Sequence, residues 1–68
     1  MNSQAELIAK EFHETYEKLA PNYGYTTRKS SAVPWEDVLP SNKKLMIATV
    51  QDLLDRAVIS PHLLFIKE

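Results

Sequence analysis

The four prolines of this sequence restrict which of its segments can form helices. Pro21 disfavours helical backbone at the residue before it, so a helix that begins near residue 3 ends by residue 19. Pro40 suits the first turn of a helix, where its missing N–H would have no intrahelical partner. Pro61 favours extended backbone at residue 60 and ends that second helix. The proline positions therefore predict two helices separated by residues 20–39.

Both helical segments show amphipathic periodicity. In residues 3–19, Ser3 and Glu6 form a capping-box pattern. The apolar residues of this segment recur every three or four positions, at Ala5, Ile8, Ala9, Phe12, Tyr16 and Leu19. The apolar stripe of residues 40–58 is wider and consists of Leu45, Met46, Thr49, Val50, Leu53, Leu54 and Ala57. We expect a mainly α fold, with two amphipathic helices at about 3–19 and 40–58 joined by a long ordered loop and followed by a short apolar C-terminal segment.

Length and composition predict a single small cytoplasmic domain over residues 1–68. The chain has no cysteine, which excludes disulfides and cysteine-ligated zinc. No apolar run is longer than residues 63–66, which are far too short to span a bilayer, and no secretory signal follows Met1. The net charge of −1 gives no electrostatic reason to expect a nucleic-acid duplex as a partner. We therefore expect neither a membrane nor a duplex among the partners.

The sequence holds more apolar residues than two packed helices need. The surplus consists of Ile47, Val58, Leu63, Leu64, Phe65 and Ile66. Exposed together, such residues would form an interface patch. They either cover the open side of the helix pair or join two chains, and residues 62–68 fit a short strand, a helical turn or a clasp on a partner. Because a core this small supplies only about 3–5 kcal/mol of net stability, a homodimer is an open alternative.

Motifs for catalysis are missing. His13-Glu14 begins a metalloprotease pattern, but Glu17 stands where the second histidine ligand would have to be. A single glycine cannot form a phosphate-binding loop, and no cysteine offers a thiolate nucleophile. We expect a non-enzymatic protein with no metal and no cofactor, and keep a hydrolase of a nucleotide signal as a weaker alternative.

The segment from Tyr23 to Trp35 has the composition of a binding loop. It combines Tyr23, Tyr25 and Trp35 with Arg28, Lys29 and four hydroxyl residues. Aromatic rings stack on nucleobases, and cations and hydroxyls hold phosphate or ribose oxygens. The same residue types also dominate protein-binding hot spots. A purely structural alternative is that Trp35 and one tyrosine anchor the loop to the core while the cations are solvated.

Several short motifs resemble the ryanodine-receptor-repeat (RyR) domain over residues 7–54. The matching residues are Leu7-Ile8-Ala9, Phe12-His13-Glu14, Tyr16, Gly24-Tyr25, Val33-Pro34-Trp35-Glu36-Asp37-Val38-Leu39-Pro40 and Asn42-Lys43. The chain is also similar to small bacteriophage proteins that carry Ala-Pro-x-x-Gly-Tyr-x-Thr-Arg and Pro-Trp-Glu-Asp-Val runs. The loop here is shorter than in the receptor repeats, and residues after Ile59 have no counterpart in them.

The resemblance implies a small ligand- or partner-binding module rather than an enzyme. A phage-encoded copy in the host cytoplasm would sequester a nucleotide-type signal of host defence, with Arg28 and Lys29 on phosphate and Tyr25 or Trp35 stacked on a base. The candidate ligand-binding residues are His13, Tyr16, Tyr23, Tyr25, Thr27, Arg28, Lys29, Trp35 and Asn42. The competing hypothesis is an interaction module that binds or inhibits a host protein.

Overall fold

Two helices form the frame of the protein in a computed structural model that describes residues 3–29 and 31–60. Helix α1 spans Ser3–Leu19 and helix α2 spans Pro40–Asp55. Two short 3₁₀ turns, Ala20–Tyr23 and Trp35–Asp37, lie between them, and these described ranges contain no strand. The mainly helical fold and its two helices are confirmed. The predicted apolar C-terminal segment at residues 62–68 lies outside the residues that the structure describes, and so does the Ser3 side chain of the capping box.

The sequence predicts one long loop over residues 20–39, but two short 3₁₀ turns interrupt this segment. Pro21 lies in the first turn of a 3₁₀ helix that follows α1 directly. The chain therefore continues as a tighter helix after α1 and does not enter an irregular loop at this proline. Gly24 ends this turn at a φ of 70°, which glycine adopts without steric cost. The Tyr25 N–H donates to the Ala20 carbonyl at 3.0 Å. This reversal brings Tyr25 back beside α1, within ring contact of Tyr16.

Helix α2 ends at Asp55, three residues before the predicted end at residue 58. The Val58 N–H donates to the Leu53 carbonyl at 2.9 Å, and the Ala57 N–H donates to the Leu54 carbonyl at 3.0 Å. These two bonds form a Schellman motif, which satisfies the last carbonyls of the helix. Ala57 has a φ of 59° at the position where glycine is preferred. The prediction was wrong here because an alanine carries no sequence signal for this conformation.

Ala57→Gly will stabilise the protein by about 0.5–1 kcal/mol, because relief of the left-handed strain exceeds the added entropy of the unfolded chain. Urea unfolding followed by far-UV circular dichroism measures the change. Ala48→Gly on the exposed surface of α2 is the matched control, and it will destabilise by about 1 kcal/mol. If Ala57→Gly instead lost as much stability as Ala48→Gly, the backbone of Ala57 would not be strained.

The core is built from small helix residues around one large ring. Its buried apolar members are Ala5, Ala9, Trp35, Val38 and Val50, and its partly buried members are Ile8, Val33, Met46, Ile47, Leu54 and Ile59. Alanines on α1 let the neighbouring elements approach closely, and Trp35 fills the volume that larger stripe residues would have taken. Trp35 and Val38 anchor residues 33–38 to both helices.

The outer part of each predicted apolar stripe is exposed. On α1 the alanines and His13 face the core, and Phe12, Tyr16 and Leu19 do not. On α2 Leu45 is 66% exposed, and Thr49 is also exposed. Only part of each predicted apolar stripe therefore contributes to the core. The stripes are wider than the contact between the elements, so large apolar side chains remain on the surface.

Candidate functional site

The nine predicted ligand-binding residues do not converge on one site. His13 and Trp35 lie in the core, Asn42 is half-buried in the first turn of α2, and Thr27 contacts α1. Tyr16 and Tyr25 share an exposed ring contact. Tyr23, Arg28 and Lys29 are exposed on the segment between the helices. The structure therefore separates residues that the composition of one loop had suggested would act together.

His13 connects α1 to the segment before the second 3₁₀ turn. Its side chain is buried, and Nε2 lies 2.7 Å from the Val33 carbonyl oxygen. Because a carbonyl only accepts, Nε2 carries the hydrogen and donates it. The imidazole also lies against the Trp35 ring, with 5.9 Å between centroids. In this arrangement His13 packs against residues 33–35, and its Nε2 already has a hydrogen-bond partner.

Trp35 lies beneath a small group of charged side chains. Lys43 Nζ is 5.5 Å from the Trp35 ring centroid and donates to the Glu36 carbonyl at 3.4 Å. Lys10 Nζ is 3.5 Å from Glu36 Oε2. These contacts link the second 3₁₀ turn to Lys10 of α1 and Lys43 of α2. The Trp35 ring is 4% exposed, so in this arrangement it offers no face on which a base could stack.

We expect the Glu36 carboxylate to link the stability of this arrangement to pH. A hydrogen bond from its own backbone, and then the charges of Lys10 and Lys43, lower the pKa of Glu36 below its usual value of 4.5. A lowered folded-state pKa adds stability that is present above the unfolded-state pKa and is lost as the pH falls through the folded-state pKa. We expect Glu36→Gln to lose less stability than the wild type on acidification below about pH 4.5.

Urea midpoints measured from neutral pH down to acidic pH test this expectation. The matched control is Glu11→Gln, which removes another exposed carboxylate of the same type from α1. A Glu36→Gln variant whose midpoint falls as steeply with acid as that of the wild type would contradict the expectation.

Thr27 fixes the segment after Gly24 against α1. Its Oγ1 donates to Glu17 Oε1 at 2.7 Å. Arg28 begins a turn in which its carbonyl accepts from the N–H groups of Ser31 and Ala32 at 2.9 Å each. The carboxylate beside Thr27 is unfavourable for a phosphate at this hydroxyl. Arg28 and Lys29 are exposed beyond it.

A row of exposed aromatic rings runs from α1 to the segment after Gly24, and we call it the aromatic ladder (Phe12, Tyr16 and Tyr25). Phe12 and Tyr16 stack with 5.9 Å between centroids, and Tyr16 meets Tyr25 edge-on at 6.3 Å. The three residues are 63%, 46% and 57% exposed, respectively. The first pair follows from the i, i+4 spacing on α1, whereas the contact with Tyr25 depends on the reversal at Gly24.

An apolar groove adjoins the aromatic ladder at Phe12 and lies between α1 and α2. It has a volume of about 260 Å³ and is lined by Ala9, Phe12, Leu45, Met46, Thr49, Val50 and Leu53. Thr49 is the one polar residue of this lining, and its Oγ1 already donates to the Leu45 carbonyl at 2.8 Å. We call the aromatic ladder and this groove together the apolar patch. The sequence analysis had placed most of these residues in the apolar stripes of the two helices, and Tyr16 and Tyr25 among the candidate ligand-binding residues.

Comparisons with protein-family models, with curated proteins and with solved structures give no match to this chain. The resemblance to RyR repeats therefore stays a prediction. Over residues 3–29 and 31–60, neither helix has the length and apolar character needed to cross a membrane. The same residues hold no cluster of three or more histidine, aspartate or glutamate side chains suited to a metal ion.

Proposed function

We propose that this chain is a protein–protein interaction module that binds through the apolar patch. The observation that carries the proposal is the continuity of the patch: Phe12 both lines the groove and stacks on Tyr16, which in turn meets Tyr25. Contiguous exposed apolar surface is uncommon on soluble monomers and marks interaction sites. Binding would remove these rings from water, which contributes a favourable free energy of about 25 cal/mol per Å² of apolar area buried.

The residue types of the patch support binding of a protein rather than a small polar molecule. Tyrosines and a phenylalanine supply large contact area with few rotatable bonds, and tyrosine is enriched among hot-spot residues. The groove offers apolar walls and one hydroxyl that already has an acceptor. It suits aliphatic or aromatic side chains of a partner. The resemblance to RyR repeats implies a ligand- or partner-binding module, and the partner-binding alternative is consistent with this proposal.

Sequestration of a nucleotide-type anion is the second candidate function. Tyr25, Arg28 and Lys29 are all exposed on the same segment, and this observation supports it. Because His13 and Trp35 are buried, a bound nucleotide would have fewer contacting residues than the sequence suggested. A thermal-shift screen with cyclic dinucleotides and ADP-ribose compounds tests it. A shift that Arg28→Ala abolishes would support the candidate, and no shift near millimolar ligand would remove it.

Site-specific photo-cross-linking tests the interaction proposal. p-Benzoylphenylalanine replaces Tyr16 in one variant and Lys44 in the matched control. Lys44 is exposed on the face of α2 turned away from the groove residues. Irradiation in the cells that carry the gene should give a discrete adduct with the probe at position 16 and none at position 44. The same adducts from both positions, or no adduct from either, would contradict the proposal.

A further inference from the structure

We propose that the partner of the apolar patch is a second copy of this chain, packed patch to patch about a two-fold axis. This inference rests on the proposed function and names the partner. In a two-fold interface the same surface meets itself, so the surface must be complementary to its own chemistry and shape. The apolar patch meets both requirements.

The chemistry of the groove is self-compatible. A surface rich in one charge would repel its own copy, whereas the side chains that line this groove are uncharged. Its one hydroxyl, on Thr49, donates within its own helix at 2.8 Å. Closing the groove against an apolar surface therefore leaves that hydroxyl hydrogen satisfied. The net charge of −1 per chain adds little repulsion between copies.

The shape of the patch also suits a copy of itself. Phe12 lies on α1 and Leu45 on α2, so the groove is bordered by one exposed large side chain from each helix. A two-fold axis through the groove would let a side chain from one copy enter the groove of the other, as knobs enter holes between packed helices. The product would be four helices around one shared core.

The available area is sufficient for a dimer of modest affinity. Each ring of the aromatic ladder is about half exposed and would bury on the order of 100 Å². Leu19 and Leu45 are also exposed large apolar residues. The patch, together with Leu19 three residues after Tyr16 on α1, therefore offers on the order of 500 Å² per copy, and two copies reach about 1,000 Å², the lower range for a specific interface. We expect a dissociation constant of the dimer in the micromolar range.

The small core gives a reason for the pairing. In residues 3–29 and 31–60, three of the six buried apolar residues are alanines. Among the described residues, no large side chain is fully buried. A chain of 7.8 kDa with no disulfide gains stability from association when its own core is thin. Burial of Phe12 and Leu45 between copies would supply large apolar side chains that the single chain leaves in water.

Sedimentation equilibrium of the purified full chain tests the inference. The wild-type mass should rise with concentration from 7.8 kDa towards twice that value. Phe12→Glu and Leu45→Glu should each weaken the dimer by at least about tenfold, because they place charge in the shared core. The controls Tyr23→Glu and Lys44→Glu should leave the dissociation constant unchanged. Far-UV circular dichroism checks that all four variants stay folded, as expected for exposed positions.

Two results would overturn the inference. One is a wild-type protein that sediments as a single chain up to millimolar concentration. The other is a dimer that persists in both patch variants, which would place the interface elsewhere. If the wild type is monomeric but the probe at position 16 captures a protein of a different mass, self-association fails while the interaction function stands. A monomer that gives no adduct at position 16 removes both.

Discussion

Trp35→Ala will lower the free energy of unfolding by about 3–5 kcal/mol, which is comparable to the entire net stability expected of so small a core. The ring is 4% exposed and is the largest member of the buried cluster. It contacts the imidazole of His13 and lies beneath Lys43. Removing it opens a cavity among alanines and valines that are too small to fill it. Far-UV circular dichroism should show a largely unfolded chain.

A second substitution and a matched control keep the Trp35 prediction testable even if the alanine variant does not fold. Trp35→Phe retains part of the ring volume, so it should stay folded with a smaller loss, measured by urea unfolding. Tyr23→Ala removes another aromatic ring from the same segment, where the side chain is 83% exposed, and should change stability by less than about 0.5 kcal/mol. Equal stability of Trp35→Ala and Tyr23→Ala would contradict the packing of the Trp35 ring in the core.

His13→Ala will destabilise the protein by about 2–4 kcal/mol. Loss of the Nε2 donor leaves the part-buried Val33 carbonyl without that partner, which costs about 1–3 kcal/mol, and the lost ring packing adds to it. Since His13 and Trp35 are in contact, their effects should not be additive in the double variant. Urea unfolding measures both effects.

The controls for His13 separate a packing role from a ligand-binding role. His13→Gln keeps an N–H donor and should recover part of the lost stability. Glu14→Ala changes the exposed neighbour and should have little effect on unfolding. A His13→Ala variant as stable as the wild type would mean that the histidine is free for another role, and the candidate nucleotide site would then regain it.

Local sequence signals predicted the frame of the fold well. Helix α1 occupies the predicted residues 3–19, and α2 begins at Pro40, because proline acts on the backbone of its immediate neighbours. The end of α2 was missed for the same local reason. Its Schellman motif has Ala57 at the position where glycine is usual, so the sequence gives no signal from which the motif could be recognised.

Tertiary contacts decided what local patterns could not. The hydrogen bond from His13 to Val33 joins positions twenty residues apart, and no spacing rule announces it. On α1 the apolar stripe included both Ala9 and Phe12, and either side could have faced inward. The placement of Trp35 against His13 turns the alanine side to the core and leaves Phe12 outside. The interface predicted from the surplus of apolar residues involved Ile47, Val58 and residues 63–66, whereas the apolar patch consists of other residues and could be placed only on the packed elements.

The most direct test of the central claim, that the apolar patch is the surface through which copies of this chain bind each other, is a chemical-shift map of the isotope-labelled chain recorded by NMR from micromolar to millimolar concentration. We predict that the amide signals of Phe12, Tyr16, Tyr25, Leu45, Thr49 and Leu53 move together with concentration while those of Lys29 and Lys44 stay fixed. Concentration-dependent shifts centred on Arg28 and Lys29, with the groove residues unmoved, would contradict the claim.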